Sequence, residues 1–314
     1  MWETTMRIEE SEVVHGEPGQ VWALLSSPAA WSLWPDAAFL FAVPGAPALR
    51  FFIGLTRRGA ASMLFEISDE RPGAMIKLRS MPAGRQELTL SVAAGRGGTA
   101  KASVRVKEVV PRQQKIDYEV KRRKNVKRWL SAVRAVIDGR ASWPGADMPA
   151  DLRQACMDPP RMTIPQSTSA STLISADPAT VWDAVHSPET ARTLGPSPAI
   201  YSGYVPGTPQ GEAGEMQYFI SRRDDSQLYG SLVVVTETFG QRGALTHALG
   251  PYPFETRYLL TPESDSGQTR LDLTFRWQKP ELIDPAEATG RMAEAAQTLA
   301  SGYKSLIETV GQQA

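Results

Sequence analysis

The chain reads as an α+β protein made of two tandem copies of one unit, each a curved antiparallel sheet wrapped around a long C-terminal helix. Three observations predict this. The 314 residues suit two domains of ordinary size, at roughly 100–200 residues each. Pro18, Val21, Trp22, Ser27 and Pro28 recur in order as Pro178, Val181, Trp182, Ser187 and Pro188, an offset of 160 throughout. Each copy then runs through segments of period-two alternation and closes on a long amphipathic stripe. The self-similarity continues along the chain. Val43, Pro44 and Gly45 match Val205, Pro206 and Gly207; Thr56, Arg57 and Arg58 are echoed by Ser221, Arg222 and Arg223; Gly73 and Ala74 match Gly243 and Ala244. The offset drifts only to 170, as changes in loop length would produce.

The elements follow in the same order in both copies. An opening strand, over about 7–15 and 167–175, leads into a short helix starting near Gly16 or Asp177. Asp177 before Pro178 is an N-cap followed by proline at the first helical position. In copy 1 the apolar phase of the strands runs through Leu49, Phe51, Ile53 and Leu55, then Met63, Phe65 and Ile67, then Leu88, Leu90 and Val92, then Ala102, Val104 and Val106. Copy 2 offers Met216, Tyr218 and Ile220, then Val233 and Val235, then Thr256, Tyr258 and Leu260, then Leu271, Leu273, Phe275 and Trp277. A helix opened by Pro111 closes copy 1, with a stripe of Ile116, Val120, Val126, Leu130, Val133 and Ile137. Asp284 and Pro285 cap the last helix, whose stripe is Ala288, Met292, Ala296, Leu299, Leu306 and Val310. Pro144, Pro149, Pro159 and Pro160 make 143–161 a semi-rigid linker, with one helical turn near Ala150–Ala155. The domains are therefore 1–142 and 162–314.

Composition bounds the rest. A hydrophobic fraction of 42% and a charged fraction of 22% exclude a disordered or collagen-like chain. No stretch reaches the roughly 18 uncharged apolar residues of a membrane helix, and no apolar run follows a basic start at the N-terminus. Cys156 has no partner for a disulfide or a metal cluster. A soluble, cytoplasmic protein is expected, without membrane insertion. The net charge of zero divides unevenly: residues 1–142 carry 22 basic and 14 acidic side chains, and residues 143–314 carry 12 and 20. Opposite halves imply attraction between a basic and an acidic domain.

The order of elements, with the Pro-x-x-Val-Trp stretches at 18–28 and 178–188, resembles the helix-grip fold of the StART-like (SRPBCC) superfamily. The tandem layout is similar to the didomain aromatase/cyclases of bacterial polyketide pathways. That resemblance implies a cavity between the concave sheet and the long helix. Those cyclases place tryptophans, a serine and an arginine on one inward strand. The strands 62–68 and 231–237 here do not, so that chemistry is not carried over by residue.

Strand phase then selects the candidate residues. His247 is in phase with Leu245 and Leu249, and a histidine in an apolar cavity exchanges protons near neutral pH. The bland alternative is a packed histidine with no task. Copy 1 offers Lys77 at the matching position. Arg222 continues the phase of Tyr218 and Ile220, and Arg57 that of copy 1. Either would anchor an enolate or carboxylate at a cavity mouth, or be a solvated hairpin arginine. Tyr218 and Tyr258 would stack on a flat ligand and donate hydrogen bonds, or be plain core aromatics. Phe51, Phe65, Phe275 and Trp277 complete the expected lining. Arg257 and Arg276 fall out of phase, and Trp22 and Trp182 read as structural.

The run Lys121–Lys124, with Lys127 and Arg128, lacks the aromatic interleaving of a nucleic-acid surface. It reads as a solvated face or one docking on the acidic domain, so no nucleic-acid partner is expected. No phosphate loop, metal-ligand motif or nucleophile elbow occurs. With His15, His186 and His247 the only histidines, neither metal nor cofactor is expected. The expected function is a metal-independent cyclase or aromatase acting on a polyketide-like or other hydrophobic biosynthetic intermediate. His247 would be its acid/base, with Tyr218 and Arg222 stabilising a developing enolate. The alternative is a non-catalytic carrier of a lipid, isoprenoid or aromatic metabolite. A protein-interaction role is a third class.

Overall fold

The computed structural model describes residues 2–34, 37–44, 51–56, 62–81, 84–159, 161–194, 199–223, 227–250, 253–263, 266–278 and 285–311. The chain divides into two compact units, Met1–Asp147 and Met148–Ala314. Arg57 and the capping Asp284 lie outside the described residues.

Unit 1 runs β1 (Glu3–His15), α1 (Pro18–Ser26), a 3-10 turn (Pro28–Leu33), β2 (Ala37–Ala42), β3 (Phe51–Thr56), β4 (Ser62–Arg71), β5 (Met75–Met81), β6 (Gln86–Ala94), β7 (Thr99–Pro111) and α2 (Lys115–Ile137). Unit 2 begins with α3 (Ala150–Cys156), the turn expected inside the linker. It continues with β8 (Pro165–Ile174), α4 (Pro178–His186), α5 (Pro188–Leu194), β9 (Ala199–Tyr204), β10 (Met216–Arg223), β11 (Gln227–Thr238), β12 (Gly243–Leu249), β13 (Phe254–Glu263), β14 (Gln268–Gln278) and α6 (Pro285–Gly311). Among the described residues each unit has one sheet of seven strands, ordered β1-β7-β6-β5-β4-β3-β2 and β8-β14-β13-β12-β11-β10-β9. Every pairing is antiparallel. Both units are thus helix-grip folds, with the first strand carried to the end of a meander and the long helix packed against it.

Even the irregularities repeat. The register slips between Ile67 and Asp69 where β4 meets β5, and between Val235 and Glu237 where β11 meets β12. A bulge re-aims a strand and increases its twist, and here it curls each sheet at the same point. Ile76 pairs with Leu90, and Ala244 with Tyr258, so these are equivalent positions. The Gly73/Gly243 match in the sequence is therefore two residues out of structural register, and the counterpart of His247 is Arg79, not Lys77.

The helices cap as their residues require. Asp177 accepts hydrogen bonds from the backbone N–H of Ala179 (3.0 Å) and Thr180 (3.1 Å), satisfying donors that the first turn of α4 leaves open. In α2 the buried stripe is Val126, Trp129, Leu130, Val133 and Val136. Ile116 and Val120, expected on it, are 76% and 65% exposed. Val120 stands one heptad before Lys127, whereas Val126 stands one heptad before Val133, so their helical phases differ. Val310 on α6 is likewise exposed. Ala296 and Ala300 of α6 are both fully buried in the core that joins the helix to its sheet.

Candidate functional site

Strand pairing decides which residues face the long helix. In unit 1 Leu40, Phe52, Phe65, Leu88 and Leu90 join the core beneath α2. Phe51 is buried too, but it pairs with Glu66 and points to the other face of the sheet, with Ile53 and Leu55. Both faces of β3 are apolar, so alternation there does not say which one meets the helix. The expectation that Phe51 lines the helix-side cavity is corrected; Phe65 does line it.

Unit 2 repeats the lesson. Tyr258, Phe275 and Trp277 belong to the core with α6. His247 pairs with Glu255, one residue out of phase with Tyr258's face. Leu245, His247 and Leu249 therefore lie on the face away from α6, as does Tyr218, which pairs with Leu232, itself paired with Leu249. Ala244, Thr246 and Ala248 are the helix-side residues of β12. Ala244 packs in the core with Tyr258 and Trp277, while Thr246 and Ala248 are half-buried. Arg222 is exposed. His247, Tyr218 and Arg222 do not converge on a helix-side cavity with Tyr258.

What His247 does instead is electrostatic. Its Nε2 lies 3.8 Å from Glu255 Oε2, and Arg276 Nη1 lies 3.1 Å from the other carboxylate oxygen. Unit 1 carries the same device: Glu87 lies 3.4 Å from Lys107 and 3.6 Å from Lys77, with Arg79 paired opposite it. A carboxylate paired with an arginine or lysine on a neighbouring strand stabilises a sheet face without any chemistry. Burial pushes the His247 pKa below the ordinary histidine value of 6.5, and Arg276 adds to this while Glu255 opposes it. A lowered folded-state value means that the unfolded chain binds the proton more readily. The stability owed to His247 is fully present above pH 6.5 and is lost as the pH falls below it. His247→Gln is expected to flatten the acid side of the denaturation midpoint-versus-pH curve below that value. An unchanged curve would remove His247 from the acid response.

Beneath α2 in unit 1 lies a cavity of about 170 Å³, whose lining includes Trp31, Trp34, Leu40, Met63, Phe65, Gln86, Leu88 and Arg122. Pro28 opens the 3-10 turn that brings both tryptophans under the helix. Trp31 is stacked with Phe65 at 5.9 Å between centroids, and lies 5.7 Å from Trp129 and 5.9 Å from Trp34. Trp129 Nε1 donates to the Ala30 carbonyl at 3.0 Å, whereas the buried Trp31 Nε1 has no partner among the described residues. The polar end is a fork: Arg122 Nε and Nη2 donate to the two oxygens of Glu108 at 3.0 and 3.1 Å. Gln86 Nε2 approaches the same carboxylate at 3.5 Å.

The second cluster is in unit 2, and sequence reasoning passed over it. His186 Nε2 lies 2.9 Å from Glu215 Oε2, and its Nδ1 lies 2.5 Å from the Tyr258 hydroxyl. Gln217 Nε2 donates to Glu215 Oε1 (2.6 Å) and to the His186 carbonyl (2.9 Å), and Gly211 N–H donates to Glu215 Oε2 (2.6 Å). Burial first, then the charges of Tyr303, Glu215 and Tyr204, raise the Tyr258 pKa well above its ordinary 10. The phenol keeps its proton, and the two ring nitrogens of His186 are hydrogen-bonded one to the Tyr258 hydroxyl and the other to the Glu215 carboxylate. Trp182 stacks on the imidazole at 4.6 Å. The equivalents in unit 1, by the repeat and the strand registers, are Ser26, Leu90 and Phe52. The available signal was a histidine in the repeat motif at the position where the other copy has serine.

Two tandem helix-grip units, the first with an aromatic cavity under its long helix, define the class of protein. Neither a family model nor a curated protein matches the sequence. Among solved structures the chain is similar to the di-domain ARO/CYC StfQ from the steffimycin biosynthetic pathway, at 9% identity and TM-score 0.40, covering 97% of this chain and 99% of that one. It is similar to the di-domain ARO/CYC BexL at 13% identity and TM-score 0.35, covering 98% of this chain and 94% of that one. A START superfamily protein from Mycobacterium smegmatis is 12% identical with TM-score 0.38, and 98% of it is covered by 46% of this chain. No described helix is long and apolar enough to cross a membrane.

Proposed function

We propose that the protein is a binding module for a small apolar molecule, held in the unit 1 cavity. One observation carries this reading: the cavity under α2 is walled mostly by apolar side chains, with Gln86 and Arg122 at its polar end, while His247, Tyr218 and the His186–Tyr258 pair stand elsewhere. The carrier function is therefore favoured over a reaction run by His247. A cyclase- or aromatase-type activity is the second reading, and Arg122 favours it. Its guanidinium, fixed by Glu108, would stabilise negative charge developing on an enolate bound beside it.

Native mass spectrometry of the purified chain tests what the cavity carries, and toluene serves as a probe. A ligand that binds only the folded state raises stability by about 2.7 kcal/mol at a hundred times its Kd, so toluene is expected to shift thermal unfolding upward. Leu88→Trp, which fills the cavity, is expected to remove the shift at a packing cost of about 1–3 kcal/mol. A toluene shift that survives Leu88→Trp would place the binding elsewhere.

A further inference from the structure

We propose that the unit 1 cavity selects a neutral, single-ring phenol, with its hydroxyl read by the Gln86 carboxamide. This rests on the binding reading above and adds the ligand's chemical class. Size comes first. A cavity near 150 Å³ takes one benzene ring, so 170 Å³ admits one ring with a small substituent. The walls come second: Trp31, Trp34 and Phe65 present aromatic surface, which favours a planar ring through offset or edge contacts.

Charge decides the third feature. Arg122 is held by both oxygens of Glu108, and that carboxylate is only 14% exposed. The Arg122–Glu108 pair carries no net charge of its own. A ligand carboxylate placed there would sit beside Glu108, and like charges at a poorly hydrated site disfavour each other. A neutral polar group meets no such penalty. Gln86 supplies the matching partner. Its only side-chain bond among the described residues is the 3.5 Å approach to Glu108, at the long limit for a hydrogen bond. A carboxamide offers an acceptor and two donors, and a hydroxyl offers one donor and two lone pairs. A phenol is therefore satisfied whichever way the amide is turned, which a ketone or an ether is not.

The experiment is calorimetric titration of the full chain with para-cresol, toluene and para-toluate, repeated on Gln86→Leu. Wild type is expected to bind para-cresol about 3- to 10-fold more tightly than toluene, the worth of one net hydrogen bond. It is expected to show no binding of para-toluate at concentrations that saturate with para-cresol. Gln86→Leu is expected to erase the para-cresol advantage while toluene affinity stays in place. Equal wild-type affinities for para-cresol and toluene, or binding of para-toluate, would overturn the phenol assignment and leave the binding reading standing. So would an advantage that persists in Gln86→Leu. Failure of all three compounds to bind would instead overturn the binding reading. The wild-type comparison decides the matter even where the variant folds poorly.

Discussion

Glu215→Ala is expected to destabilise unit 2 by about 3–5 kcal/mol, the cost of removing one partner from a buried, hydrogen-bonded pair. The carboxylate is 0% exposed and accepts from His186, Gln217 and the Gly211 amide. Alanine leaves the buried His186 Nε2 without its partner, removes one of the two bonds of Gln217 Nε2 and frees the Gly211 amide, and an unsatisfied buried group costs about 1–3 kcal/mol. The effect spreads because the network ties together the end of α4, the start of β10 and, through Tyr258, β13. Glu215→Gln is expected to cost less, since its amide oxygen still accepts one bond. Hydrogen exchange read by mass spectrometry measures this directly, because peptides of each unit report their own opening free energy. Faster exchange across α4, β10 and β13 with unit 1 unchanged is the expected result. Protection unaltered in Glu215→Ala would show that the network is not what holds those elements.

The second large effect belongs to unit 1. Trp129→Ala is expected to cost about 3–5 kcal/mol, the range for truncating a buried aromatic to alanine. Trp129 is fully buried on α2, donates to the Ala30 carbonyl and packs against both Trp31 and Trp34. Its loss empties the space between the helix and the 3-10 turn, directly behind Trp31 and Trp34 of the cavity wall, and is expected to enlarge the room under the helix. Naphthalene, too large for the wild-type cavity, is then expected to bind and to restore part of the lost stability by mass action. A variant with wild-type exchange protection, or one that naphthalene leaves unaltered, would show that the space Trp129 fills does not join the cavity. Trp129→Phe offers a milder truncation where the alanine variant is too unstable to purify.

Much of the architecture was legible from local chemistry. Asp177 before Pro178 announced a capped helix, and the side chain does accept two amides of the first turn. The alternation of Leu88, Leu90 and Val92, and of Leu271, Leu273, Phe275 and Trp277, marked faces that do pack against the long helices. The duplication was visible because a repeated fold needs the same turns and the same buried positions twice. Residue phase within a strand was legible as well. His247 does share a face with Leu245 and Leu249, and Tyr218 with Met216 and Ile220.

What the sequence by itself determined, then, is the duplication, the α+β unit, the order of its elements and the residues that share a face. Only the tertiary structure decided which face meets the helix. Alternation has a period of two, so it separates a strand's residues into two sets without naming the side on which each is covered. Where one face is polar the choice is forced. In β3 both sets are apolar, and in β12 the helix-side set is the smaller one, so side-chain size and polarity pointed to the wrong side. The same limit hid His186, Tyr258, Glu215 and Gln217. They come from three segments tens of residues apart, the end of α4, the start of β10 and β13, and the hydrogen bonds that join those segments exist only once the chain has folded. The cavity followed the same rule: its wall joins Trp31 and Trp34 of the turn with Phe65 of β4, Leu88 of β6 and Arg122 of α2, tens of residues apart in sequence, and their meeting is a property of packing.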